Sequence, residues 1–257
     1  MPQIILASLL LLAAVGAVPR SQRDTGFLDR SVHVNGVDYP YQVYLPAGYD
    51  SRADWPVILF LHGAGERGSD GLAQTEVGIG SAIRRDRDLY QAVVVFPQVP
   101  DEQRWPGDPA EAAMAALEVT LDEYSVDRDR VYLTGLSLGG NGTWYVAYQN
   151  PDTFAAIVSI CGWVAWREQV PEWVVAGSPR EAVAEVAERL QGLPIWVFHG
   201  EIDTVVPVEG SRGIVEALRE RGADVRYTEL PGTGHNAWDP AYRLPDLAAW
   251  LLSQKRR

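Results

Sequence analysis

The stretch that decides the fold is Gly135-Leu136-Ser137-Leu138-Gly139, a G-x-S-x-G pentapeptide in the middle of the chain. The strand-like run Arg130-Val131-Tyr132-Leu133-Thr134 leads directly into it, and the helix-like run Thr143-Trp144-Tyr145-Val146-Ala147-Tyr148 follows. Strand, sharp turn and helix in that order describe a nucleophile elbow, in which a serine sits strained and exposed between two elements. The flanking glycines allow the chain to turn and approach its neighbours closely. The pentapeptide alone is a weak signal in a glycine-rich chain, so the reading depends on what surrounds it.

Outward from the elbow, strand-like and helix-like segments alternate. Ser31–Asn35 and Tyr41–Leu45 read as an antiparallel pair joined near Gly36. Val57–Leu61, Ala92–Phe96, Val131–Thr134, Ala156–Ile160 and Ile195–Phe198 are apolar runs of the kind a strand shows when both faces are covered. Val225–Leu230 reads as the last strand. Pro109–Tyr124, with Asp108 as its cap, Glu181–Leu190, Ser211–Arg221 and Leu244–Gln254 read as helices. The pattern predicts a mostly parallel sheet of about eight strands with helices on both faces. Residues 18–30 are expected to be an extended, loosely held segment. Between Ile160 and Leu193 the chain is longer than the alternation needs and carries Trp163, Trp166 and Trp173, which suggests an excursion over the sheet edge.

Composition sets further bounds. The chain has 257 residues and a formal net charge of −12. That argues against nucleic acid or an anionic membrane as a partner, since both reward clustered Lys and Arg. Ile4–Val15 is apolar and is followed by small residues, which reads as a signal peptide over residues 1–17. The expected product is a single domain over residues 18–257, secreted or periplasmic, without stable membrane association after cleavage. Cys161 is the only cysteine, so no internal disulfide is expected, and its strand-like surroundings mark it as a core residue.

A serine nucleophile needs a base, and the base needs an orienting carboxylate. Of the four histidines, His33 lies in the first strand, while His62 and His199 each end a buried strand and precede glycine. Those two are expected to hold their loops through backbone hydrogen bonds. His235 stands in Pro231-Gly232-Thr233-Gly234-His235-Asn236, just past the last strand, and is the expected base. The loop Gly200–Pro207 offers Glu201 and Asp203 as the acid. Asp203 is preferred because it lies further into the loop; Asp239 is too close to His235. The oxyanion of an acyl-transfer intermediate needs backbone donors. The Leu138 N–H, after the nucleophile, and the Ala64 N–H, in the loop His62–Gly68, are expected to supply them, with the Gly65 N–H as the next candidate and Gly65 itself beside the substrate. Motifs for phosphate loops and metal sites are missing from the sequence, so neither a cofactor nor a metal is expected.

These residues resemble a known group. Leu61–Gly68, Phe96-Pro97-Gln98, Thr134–Gly140 with Gly142-Thr143-Trp144, Trp196–Gly200 with Asp203, and Gly234-His235-Asn236 are similar to stretches of secreted α/β-hydrolases. The resemblance is to the esterase and dienelactone-hydrolase-like group, near feruloyl esterases, polyhydroxyalkanoate depolymerases and peptidases with a prolyl-oligopeptidase-like catalytic domain. It implies the α/β-hydrolase fold and a triad of Ser137, Asp203 and His235. The expected activity is hydrolysis of carboxylic esters through an acyl-enzyme, on a small-molecule or glycan-linked ester such as a feruloyl or acetyl ester of a plant glycan. The alternative is a serine peptidase acting on small peptides; the short stretch before the first strand is expected to leave no room for the propeller of that family. The chain has nine tryptophans, and Trp105, Trp163 and Trp238 are expected to line an aromatic substrate cleft.

Overall fold

The computed structural model describes residues 24–51, 53–165 and 174–256. The expected signal peptide therefore lies outside the described residues, as do Trp166 and Trp173. Within the described residues, β1 (Gly26–Val34), β2 (Val37–Leu45), β3 (Trp55–Leu61), β4 (Val93–Pro97), β5 (Val126–Leu136), β6 (Ala156–Ile160), β7 (Ile195–Gly200) and β8 (Val225–Leu230) form one sheet. Its order is β1-β2-β4-β3-β5-β6-β7-β8. The first two strands pair antiparallel, β2 runs antiparallel to β4, and every later pairing is parallel. This is the α/β-hydrolase fold.

The apolar strand runs have a simple explanation. Successive side chains point to opposite faces, so a strand covered on both sides is apolar at every position. Val57, Leu59 and Leu61 enter one core layer, while Ile58 and Phe60 enter the other; Val93 and Val95 separate from Val94 and Phe96 in the same way. The first layer is closed by α2 (Asp108–Glu123), α3 (Leu138–Gln149), α4 (Pro179–Leu190) and α5 (Glu209–Glu220). The second is closed by α1 (Gly78–Arg85), α6 (Trp238–Tyr242) and α7 (Pro245–Ser253).

Three expectations need correction. Gly26–Arg30 is not a loose segment but the first half of β1, paired with Leu45–Tyr41. Phe27 holds it there, its ring 5.0 Å from Tyr44 and 5.7 Å from Phe96. Asp108 is not the cap of α2: it is the first helical residue, and Gly107 takes the cap position with φ 87°. Helix α4 begins before Glu181, because Ser178 and Glu181 form a capping box and Pro179 occupies the first turn. Among the described residues no helix is long and apolar enough to cross a membrane.

Candidate active site

The elbow is built by close packing. Strand β5 ends at Leu136, α3 begins at Leu138, and Ser137 between them has φ 53° and ψ −117°. A non-glycine residue in that region costs on the order of 1–3 kcal/mol and persists only where the surroundings enforce it. Here they do. A Cβ on Gly139 would lie 1.9 Å from Leu61 O, and one on Gly135 would lie 2.2 Å from Gly139 O. The glycines thus let the start of α3 press onto the end of β3, while the Ser137 N–H donates to Ile160 O at 2.8 Å.

The loop after β8 brings His235 across the strand ends. Its Nε2 lies 2.9 Å from Ser137 Oγ and its Nδ1 2.7 Å from Asp203 Oδ2. The loop after β7 carries Asp203, whose Oδ1 accepts from the N–H groups of Val205 at 2.8 Å and Val206 at 3.0 Å. Burial works to raise the Asp203 pKa, but the hydrogen bonds from His235, Val206 and Val205 outweigh it and hold the carboxyl below its ordinary range. The two loops are fastened to each other. Ile202 N–H donates to Thr233 O at 3.0 Å, and Gly232 N–H donates to Glu201 Oε2 at 2.8 Å. Glu201, the other acid of this loop, is exposed and braces the His235 loop. Asp239 is occupied locally, with Asn236 Nδ2 at 3.2 Å.

The loop after β3 passes beside the serine: a Cβ on Gly63 would be 3.6 Å from Ser137 Cβ. Gly63 N–H is already taken by Glu66 Oε2 at 2.9 Å, and Ala64 and Gly65 are exposed. Leu138 is the first residue of α3, where a backbone N–H has no intrahelical acceptor. Two residues brace this loop. His62 donates from Nδ1 to Gly63 O at 2.7 Å and accepts from Val99 N–H at 2.9 Å on Nε2, which fixes its tautomer. Gln98 reaches Glu66 O at 3.1 Å, Asp70 Oδ1 at 2.9 Å and the Gly71 N–H at 2.8 Å. The backbone role expected of His62 is therefore met. His33 lies apart and pairs with Asp38 at 2.7 Å.

The aromatic cleft is largely corrected. Trp105 is 0% exposed and donates to His62 O at 3.1 Å, and Trp163 is 4% exposed. Both belong to the core beneath the loops rather than to a cleft wall. Trp238 is half-buried, its ring edge-on to His235 at 5.2 Å. Of the Trp-rich excursion, the described ends are joined by Val174 N–H to Val164 O at 3.1 Å. The sequence reading also missed Ser211, Gln98 and the approach of His199 and Cys161 to the acid. Only the positions of His199, at the end of β7, and of Gln98, directly past β4, signalled proximity. Cys161, His199 and Asp203 have their ligand atoms within 4.8 Å of one another. All three engage protein partners: His235 O, Ser211 with Val206 O, and His235 respectively.

Chemically, the arrangement aligns a hydroxyl, an imidazole that can take its proton and a carboxylate that orients the imidazole. Residues 102–254 match the model of the prolyl oligopeptidase family. The chain belongs to that family. The relatives and structural neighbours it resembles include esterases. Esterase LipC of Mycobacterium tuberculosis is 29% identical over 220 residues, covering 70% of this chain and 52% of its own. An uncharacterized secreted protein of Arthroderma benhamiae is 28% identical over 210 residues, covering 74% of this chain. This chain spans only 22% and 52% of the lengths of these two relatives. The crystal structure of a thermostable esterase superposes with a TM-score of 0.77 at 35% identity, over 90% of this chain and 63% of the other. A ferulic acid esterase superposes with a TM-score of 0.70 at 18% identity, over 88% of this chain and 97% of the other, a likeness of fold. The chain is thus an esterase-like α/β-hydrolase.

Proposed function

We propose that this protein is an exported serine hydrolase that cleaves carboxylic esters through an acyl-enzyme. The observation that carries this reading is the position of His235, within hydrogen-bond reach of Ser137 Oγ on one side and Asp203 on the other. Ser137 Oγ attacks the ester carbonyl carbon while His235 takes its proton. Asp203 holds the ring and stabilises the imidazolium. The N–H groups of Leu138 and Ala64 donate to the oxyanion, and Gly65 borders the acyl group. Collapse of the tetrahedral intermediate expels the alcohol, which receives the proton from His235. Water, deprotonated by the same imidazole, then releases the acid and regenerates Ser137.

For the substrate we favour feruloyl or acetyl esters of plant glycans. Trp238 supports an aromatic acyl group, being half-buried and next to His235. Export is supported by the apolar stretch Ile4–Val15 and by the relative named as secreted; the mass of the mature N-terminus tests it. The family match favours one second reading, hydrolysis of small peptides. An ester and amide panel on the wild type and Ser137→Ala separates them. Ester turnover that vanishes in Ser137→Ala supports the first reading; amide turnover exceeding ester turnover replaces it with the second. Cleavage of short nitrophenyl esters without any activity on feruloyl or acetylated sugars removes the glycan substrate.

A further inference from the structure

The carboxylate of Asp203 faces a second imidazole. His199, the penultimate residue of β7, is fully buried, with Nε2 3.3 Å from Asp203 Oδ2 and 3.0 Å from Val206 O. Its Nδ1 lies 2.7 Å from Ser211 Oγ, on the first turn of α5. The tautomer follows from these partners. A carbonyl and an ionised carboxylate can only accept, so Nε2 carries the hydrogen. Burial disfavours the imidazolium. The ring is therefore neutral, its Nδ1 is an acceptor, and the Ser211 hydroxyl donates to it at 2.7 Å, with Gly162 O the more distant acceptor at 3.4 Å.

The two oxygens of Asp203 are then held differently. Oδ1 is fixed by two N–H groups of its own loop. Oδ2, the oxygen that orients His235, has the buried His199 Nε2 3.3 Å away, with that N–H directed chiefly at Val206 O at 3.0 Å. Without His199, Oδ2 would lose the buried imidazole packed against it and would rest on the Oδ1 anchor and on His235, whose ring changes charge in every catalytic cycle. A histidine is not needed merely to finish a buried strand; an apolar residue would do so without a buried hydroxyl partner.

We propose that His199 is a positioning residue for the Asp203–His235 pair and that Ser211 anchors its ring at Nδ1. The proposal rests on the serine-esterase reading, and the two fail differently.

The test is steady-state hydrolysis of a nitrophenyl ester by the full chain, with a thermal melt of each variant. His199→Leu is expected to lower kcat roughly ten- to a hundredfold, the scale of a misplaced catalytic group, with KM within about twofold. His199→Gln, whose amide can return an N–H near the Nε2 position, is expected to recover most of that loss. Ser211→Ala, a small change that keeps the ring, is expected to lower kcat several-fold at unchanged KM. Wild-type kcat in folded His199→Leu overturns the proposal, and so does failure of His199→Gln to recover activity. If His199→Leu does not fold, Ser211→Ala decides, and an unchanged kcat there overturns it. Turnover that survives in Ser137→Ala removes the esterase reading instead.

Discussion

Asp203 holds His235 by a 2.7 Å contact between Oδ2 and Nδ1, with the Asp203 side chain wholly buried and that of His235 20% exposed. The acid is locked and the base retains access to the site. An ionised carboxylate accepts the Nδ1–H and so leaves Nε2 free to take the serine proton. In Asp203→Asn the amide oxygen is expected to keep the Val205 and Val206 N–H groups, which turns the NH2 toward His235. The imidazole then carries its proton on Nε2 and cannot act as base. Ester turnover is expected to fall on the order of 10⁴-fold with little change in KM. Steady-state kinetics on a nitrophenyl ester checks this, and a loss below tenfold would contradict the assigned acid.

His62 makes the stability of the fold depend on pH. Burial pushes its imidazole down to about 4, and both ring nitrogens are committed, one donating to Gly63 O and one accepting from Val99 N–H. A proton on Nε2 would oppose the Val99 N–H. Between the unfolded value near 6.5 and the folded value near 4, the unfolded chain binds the proton and the folded chain does not. Stability is therefore complete above about pH 6.5, falls as pH drops toward 4, and loses no more from this group below that. The loss amounts to about 3 kcal/mol. The buried His199 acts in the same direction. Urea unfolding at a series of pH values should show this slope, and it should flatten in His62→Asn.

Cys161 is expected to be inert in the native protein. It directly follows β6 with φ 50°, is fully buried, and its thiol donates to His235 O at 3.3 Å. Burial, with the nearby Asp203 charge adding to it, pushes the thiol up to about 12, so the reactive thiolate is scarce at neutral pH. Iodoacetamide at pH 8 should label the protein only after denaturation. Rapid labelling of native protein would show that the layer beneath the His235 loop opens.

The sequence made some parts of this molecule legible and concealed others for physical reasons. Strands such as Val57–Leu61 and Val225–Leu230 were visible because burial on both faces, or a clear boundary, leaves a pattern in residue type. Ser137, Asp203 and His235 were visible because each sits just past a strand end, in an order that few folds share. The first half of β1 was not visible, because Gly26–Arg30 takes its structure from the β2 ladder and from Phe27 packing rather than from its own pattern. Trp105 and Trp163 misled because a loop residue can be either a wall or a plug, and only the packing tells which. His199 and Ser211 meet across twelve positions of sequence, and no local pattern records that contact.

Gly139 tests the elbow itself. A Cβ there would stand 1.9 Å from Leu61 O, 2.5 Å from Leu61 C and 2.6 Å from His62 O. These are backbone atoms of β3 and of the residue that opens the Ala64 loop, so no side-chain rotation relieves the clash. Either α3 lifts from the sheet or the end of β3 moves, and each displaces one of the two expected oxyanion donors relative to Ser137. Gly139→Ala is expected to cost about 3 kcal/mol or more, as overpacking against backbone does. That corresponds to a fall in Tm of roughly 6–12 °C for a chain of this size. The surviving folded protein is also expected to react more slowly with a fluorophosphonate, since the probe needs the same donors. Differential scanning calorimetry and the rate of Ser137 labelling measure the two effects separately. A variant with unchanged Tm and unchanged labelling would mean that α3 does not press on β3 as closely as the elbow requires.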